Sequence, residues 1–167
     1  MATGLLILAH LGGITSLHAD DSGRQNLFKI ERNKNANIVQ YDAQITAQGK
    51  LNNEDPVIVY WVRLAEQGQV KELSWIQRKF AFGFSTDFDQ ESDIAIIDMA
   101  LKIERLITVK RIQQDYQAIM TIDGKTSLVE KIYIDSSGRG FSTRVNFIDL
   151  HGMDMETSEI TYERLVP

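Results

Sequence analysis

Alternation with a period of two runs through most of this chain and constrains its fold more than any other feature. Val39, Tyr41, Ala43 and Ile45 are separated by Gln40, Asp42 and Gln44, the pattern of a strand with one face in a core and the other in water. Tyr116, Ala118, Met120 and Ile122 repeat it against Gln117, Thr121 and Asp123. Leu101, Ile103, Ile107 and Val109 do the same against Glu104, Thr108 and Lys110. Residues 57–64 are apolar on both faces except at Arg63, which reads as a central strand. Further strands are expected at 27–32, 94–100, 126–134, 142–150 and 157–165. Proline occurs only at positions 56 and 167, so none interrupts a strand.

The connections fit hairpins. Asp123-Gly124 is a type I′ turn signal, residues 135–140 form a longer loop, and His151-Gly152 reads as another tight turn. One segment departs from the period. Leu73, Ile76 and Phe80 fall on one helical face, Ser74 and Gln77 fit a capping box, and Gly83 can end the helix. The expected class is all-β: an antiparallel up-and-down barrel or closed sandwich of about 8–10 strands with one short helix. Closure would remove exposed strand edges.

At 167 residues, with 43% hydrophobic and 25% charged residues, the chain suits a single domain with its own core. Its net charge of -5 argues against nucleic acid as a partner. No apolar run reaches the 18–20 or so residues of an integral membrane span. Cysteine is absent, which excludes disulfides, thiolate metal sites and cysteine nucleophiles. Residues 1–19 carry no charged side chain, contain an apolar stretch at 4–14 and end on Ala19 before Asp20-Asp21. They read as a secretory signal, with residues 20–167 as one exported domain, periplasmic or secreted. His151 is then the only histidine left. No cofactor is expected, and any protein partner is unspecified.

The stretch from Asn26 through Arg32-Asn-Lys-Asn-Ala-Asn37 to Asp42 has a distinctive sequel. It is followed by Gly49-Lys-Leu51, by Asp55-Pro-Val-Ile-Val-Tyr-Trp61, and by Leu73 to Gly83 with its Arg78-Lys79 pair. Together these resemble the bacterial domain-of-unknown-function family 4833, over residues 26–83 and by general pattern beyond. Phe82 stands where that family would place Tyr. The resemblance implies one coherent domain and no particular chemistry.

Four groups of side chains could carry function. Thr86–Asp93 places acids at Asp87, Asp89, Glu91 and Asp93, with Asp98 further on, an echo of a calcium loop. Ser92 takes the position of the obligatory glycine, so these are weak metal candidates and a solvated connector is the simpler reading. Asp149, His151, Asp154 and Glu156 could pair an imidazole with carboxylates, the basis for a hydrolase or metal-dependent enzyme. Polar residues at a hairpin tip are the simpler reading. The asparagines at 33, 35 and 37 can cap turns, or with Arg32 form a polar rim suited to a carboxylate or sugar. The aromatic set gives the favoured site. Trp61 and Arg63 share a strand face, Tyr60 lies on the other, and Trp75, Phe80, Phe82 and Phe84 follow.

Barrels of about eight strands can enclose one small ligand. An arginine beside a tryptophan would orient an anionic head group there. The favoured function is therefore non-enzymatic binding of a small amphipathic or apolar ligand by Trp61, Arg63, Trp75, Tyr60, Phe82, Arg32 and Asn35. In that picture Arg63 points into the barrel and Trp75 closes one end. A structural or interaction role in the cell envelope is the alternative.

Overall fold

The computed structural model describes residues 23–101, 103–139 and 142–167. The segment read as a secretory signal, residues 1–19, lies outside the described residues, as does Gly140. Eleven strands follow in chain order: β1 (Arg24–Arg32), β2 (Asn35–Gln44), β3 (Val57–Arg63), β4 (Gln69–Glu72), β5 (Phe84–Asp89), β6 (Ile94–Met99), β7 (Ile107–Ile112), β8 (Asp115–Ile122), β9 (Lys125–Ser137), β10 (Arg144–Asp154) and β11 (Ile160–Leu165). The all-β expectation holds, and the sheet curls into a half-barrel.

β9 organises it. Its first residues, Lys125 to Leu128, pair antiparallel with β8, and Lys131 to Ile134 pair parallel with β1. Its opposite edge takes β10 along nearly its whole length, and β11 adds to β10. The resulting order is β4-β3-β2-β1-β9-β8-β7-β6-β5. The parallel β1–β9 pair departs from the antiparallel meander, and β4 and β5 end the order without pairing each other. Ile30, Val39, Tyr41, Ile107, Ile132 and Leu150 are wholly buried. They come from β1, β2, β7, β9 and β10, so the core is shared across both arms of the sheet. Among the described residues no helix is long and apolar enough to cross a membrane.

The helical segment is shorter than its sequence suggests. Helix α1 spans only Trp75–Gln77 behind the Ser74–Gln77 capping box, and a π-helical turn continues it over Arg78–Phe82. Ile76 and Phe80 are exposed rather than core, while Leu73 and Phe82 are buried. The wider turn rotates Phe82 onto the sheet at the expense of the i, i+3, i+7 face. Tyr41 secures it: stacked on Phe28 at 4.5 Å, it donates its hydroxyl to the Phe82 carbonyl at 2.5 Å.

Two further expectations change. The strand expected from Leu101 begins at Ile107, because the chain turns at Glu104 with φ of 54°. Gly152 does not mark a hairpin tip. It lies within β10 at a register shift after His151, and the turn follows Asp154. A β-carbon at Gly152 would sit 2.3 Å from the Leu128 carbonyl oxygen and 2.9 Å from Ile122 Cδ1, so close strand approach explains this glycine. The type I′ turn at Asp123-Gly124 forms as expected, with φ of 50° and 74°. Gly152→Ala should therefore lower unfolding free energy by about 1–3 kcal/mol through overpacking. Urea unfolding beside the parent protein should show the lower midpoint in Gly152→Ala; an unchanged midpoint would refute the close-approach reading.

Candidate functional site

On three adjacent strands the core face changes character toward one end. It runs Ile30 to Arg32 on β1, Tyr41 through Val39 and Asn37 to Asn35 on β2, and Val57 through Val59 and Trp61 to Arg63 on β3. Register aligns these rows, with Ile30 opposite Val39, Val39 opposite Trp61, and Arg32 opposite Asn35. Apolar residues end together and polar ones begin together. Lys71 and Glu72 of β4, with Leu73, Ser74 and Gln77, close the other side of an open cleft of about 390 Å³.

Trp61, almost fully buried, forms part of the cleft lining. Its indole Nε1 donates to Gln77 Oε1 at 3.1 Å, and the same oxygen accepts the Ser74 backbone N–H at 2.8 Å. The capping box thus starts α1 and fixes the tryptophan at once. Phe82 meets Trp61 edge-on, with centroids 5.3 Å apart. The Arg32 guanidinium lies over Trp61 at 4.5 Å and over Phe82 at 5.2 Å, in cation–π geometry. Arg32 Nη2 donates to Asn35 Oδ1 at 3.3 Å, and Asn35 Oδ1 also accepts the Asn37 backbone N–H at 3.1 Å.

Two atoms in this cleft have no partner. Arg32 Nε and Asn37 Oδ1 are the buried side-chain polar atoms left unsatisfied among the described residues. Burial also pushes the Arg32 pKa below its ordinary value, although a guanidinium stays charged at any physiological pH. Some cations of the fold have carboxylate partners: Arg105 with Glu163 at 2.6 Å, Arg164 with Asp149 at 2.7 Å, Lys131 with Glu31 at 3.4 Å. Among the described residues none is found for Arg32.

The structure brings together Trp61, Arg32, Asn35, Arg63 and Phe82 and leaves two expected members elsewhere. Arg63 lines the rim and pairs with Glu66 three residues on, instead of pointing into an enclosed lumen. Trp75 does not close the site. It is 69% exposed, packs edge-on against Phe80 at 6.3 Å, and has Lys79 Nζ 5.2 Å from its ring. Tyr60 faces the other side of β3 and donates to Asp42. Asn37 joins the lining from the asparagine run, and Gln77, Ser74, Leu73, Lys71 and Glu72 enter it unforeseen. The capping-box pattern is the available signal for Ser74 and Gln77. The asparagine run divides its labour. Asn33 clamps β9 by bonding the Ser136 carbonyl at 3.0 Å and its N–H at 3.1 Å, while Asn35 and Asn37 face the cleft.

The acidic run is a strand and turn. Asp87 and Asp89 lie on the exposed face of β5. Asp89 accepts the Glu91 N–H at 2.9 Å and the Ser92 hydroxyl at 2.6 Å, bonds that hold its carboxyl below the usual range. Glu91 is exposed, and Asp93 turns away to accept from Leu51 N–H and the Tyr116 hydroxyl. Among the described residues no cluster of three or more His, Cys, Asp or Glu is arranged to hold a metal ion.

The histidine cluster is a cross-strand ladder. Asp149 faces Arg164 and His151 faces Tyr162 across β10 and β11. Arg164 grips Asp149 through two bonds of 2.7 and 2.8 Å, and Tyr162 donates to it at 2.9 Å. His151 packs on Tyr162 with centroids 5.2 Å apart. Asp154 caps the next turn through the Glu156 N–H at 2.8 Å.

Fold and cleft together define an all-β half-barrel domain with a cation-lined cleft at one end of its core face. The chain belongs to the DUF4833 family, Domain of unknown function (DUF4833), whose pattern matches residues 28–164. The match extends past the helical segment to the last strand. No curated protein and no solved structure matches the chain.

The ladder makes stability depend on pH in two steps. Burial, then Lys131, hold the His151 pKa below its ordinary 6.5. The unfolded chain therefore takes up that proton first, and stability should fall as pH drops below about 6.5. Hydrogen bonding from Arg164 chiefly holds Asp149 below its ordinary 3.8, so its contribution is present above that value and lost in stronger acid. Urea midpoints measured from pH 7 to 3 should show both declines. His151→Gln should flatten the first and Asp149→Asn the second; an unchanged profile in either variant would refute that assignment.

Proposed function

We propose that this domain binds a small amphipathic ligand in the cleft, its oxyanion against Arg32 and its apolar part along Trp61 and Leu73, without chemical conversion. One observation carries the reading: a half-buried guanidinium that lies over two aromatic rings and has no carboxylate partner among the described residues. Cation–π contact with the two rings contributes about 1–2 kcal/mol at a partly desolvated site and leaves the charge without a counter-ion. An anionic head group would supply the missing counter-charge through a charge-assisted hydrogen bond. The lining holds no histidine, and its single carboxylate, Glu72, is exposed, which favours binding over acid–base chemistry. The uncharged apolar segment 1–19 supports export, so that the ligand is met outside the cytoplasm. Mass spectrometry of protein from its own host should then give a terminus near Asp20, and an intact Met1 or Ala2 on folded protein would refute export.

A second reading, an interaction module, is favoured by the exposed Trp75, Ile76 and Phe80 on the helical segment. The two separate cleanly. Calorimetric titration with decanoate, an amphipathic monoanion, should show saturable binding that Arg32→Met weakens at least about tenfold, the scale of one charge-assisted bond. Methionine keeps the apolar stem against Trp61, so the variant should be as stable as the parent or more so. Trp75→Ala should leave the affinity unchanged. Loss of binding with Trp75→Ala and not with Arg32→Met would overturn the cleft in favour of the exposed surface.

A further inference from the structure

The helical segment has an inner and an outer side, and the outer side is apolar. Ser74 and Gln77 line the cleft, and Leu73 and Phe82 are buried. Trp75, Ile76 and Phe80 are left 69%, 53% and 65% exposed. The π-turn that seats Phe82 brings Trp75 and Phe80, five residues apart, into edge-on contact with centroids separated by 6.3 Å. Lys79 completes the group: its Nζ lies 5.2 Å from the Trp75 ring and 5.3 Å from that of Phe80. The charge around this knob is positive. Residues 69–83 carry Lys71, Arg78 and Lys79 against Glu72 alone, in a chain whose net charge is -5. From this we infer that the outer side of the helical segment docks on the surface of a membrane containing anionic lipid.

Three arguments select that occupant. Aromatic rings beside a lysine suit the lipid head-group boundary, where the rings enter the acyl edge and the ammonium stays with the phosphates. The patch is also small. Two part-exposed rings and an isoleucine offer on the order of 300–400 Å², about half of the ~800 Å² that a stable protein interface takes from each partner. A bilayer asks for no matching surface, and it attracts each cation held near it. A second copy fits worse, since a two-fold contact sets each patch against itself and brings Arg78 and Lys79 of both copies together. The inference goes beyond the cleft reading and does not rest on it, because Trp75, Ile76, Lys79 and Phe80 are not in the cleft lining.

The test is co-sedimentation of the full chain with vesicles of phosphatidylcholine alone and of equal parts phosphatidylcholine and phosphatidylglycerol. Binding to the mixed vesicles should be the stronger, and should weaken as salt is raised. Trp75→Ser and Phe80→Ser together should weaken it at least about tenfold. Lys79→Gln should weaken it roughly fivefold, the share of one cation at an anionic surface. All three side chains are exposed, so urea midpoints should stay those of the parent. Trp75→Phe should keep the binding but lose the quenching of tryptophan fluorescence by brominated lipid, because Trp61 is buried; this decides the matter if the double substitution disturbs folding. Arg32→Met should leave vesicle binding unchanged. No binding to the mixed vesicles, equal binding to both kinds, or binding that survives the double substitution overturns the inference. Loss with Arg32→Met assigns the lipid to the cleft and overturns the outer surface. A dimer that the double substitution abolishes, without vesicle binding, overturns it in favour of a second copy. Vesicle binding with the expected dependences, in a protein that does not bind decanoate, upholds the inference while overturning the cleft reading.

Discussion

The fold depends on one long strand that is paired on both edges. β9 holds β8 and β1 end to end along one side and β10 along the other. Two antiparallel arms and the C-terminal hairpin therefore meet on a single backbone. Neither arm could bury its apolar face alone, since a sheet needs something packed on that face. Joined through β9 they curl toward each other, and β1 contributes Ile30 to the same interior that receives Ile107 from β7 and Leu150 from β10. The parallel junction has a second effect. It brings the end of β1, and with it Arg32 and Asn33, beside the Ile134–Ser136 stretch of β9, where Asn33 bonds the Ser136 backbone. The cleft's arginine is thus placed by the sheet junction, not by a loop.

The helical segment shows how the site is held to that frame. Three residues of α-helix and one π-turn cannot be stable on their own. They stay in place through Tyr41 to the Phe82 carbonyl, Trp61 to Gln77, and the edge-on Trp61–Phe82 contact. Each bond ends on a residue of the core or of the cleft. Consequently the segment's order and the cleft's geometry are one physical question, and a change that loosens Trp61 would release the segment as well.

How much of this the sequence displays varies with the range of the interaction. Local alternation makes β2 and β8 legible because burial on one face dictates a period of two. The capping box at Ser74–Gln77 and the turn at Asp123-Gly124 are legible for the same reason, since each is completed within a few residues. Pairing between β1 and β9, about a hundred residues apart, leaves no mark in either strand's pattern. The site divides along the same line. Trp61 and Arg63 share a face, as alternation requires, yet Arg63 finds Glu66 three residues away and Arg32 is the residue brought over Trp61 by register. A strand pattern states which face a side chain takes; it does not state which neighbouring strand supplies the charge. Gly152 misleads similarly, because a glycine demanded by close strand approach and one demanded by a turn look alike in one dimension.

The half-buried guanidinium of Arg32, without a carboxylate partner among the described residues, then becomes the informative feature. Replacing a buried charge with an apolar side chain of similar volume is commonly neutral or stabilising by about 1–4 kcal/mol, so packing alone does not require arginine at position 32. Two aromatic rings face it, Asn35 orients one end of it, and its Nε, closed to solvent, has no acceptor. That arrangement holds the guanidinium in one orientation, which would lower the ordering cost of binding an anion there. The bidentate Arg164–Asp149 pair, where every charge is answered within the chain, is what a purely structural arginine looks like in this same protein. Arg32 differs from it in having rings and an amide oxygen as its neighbours and no carboxylate among the described residues.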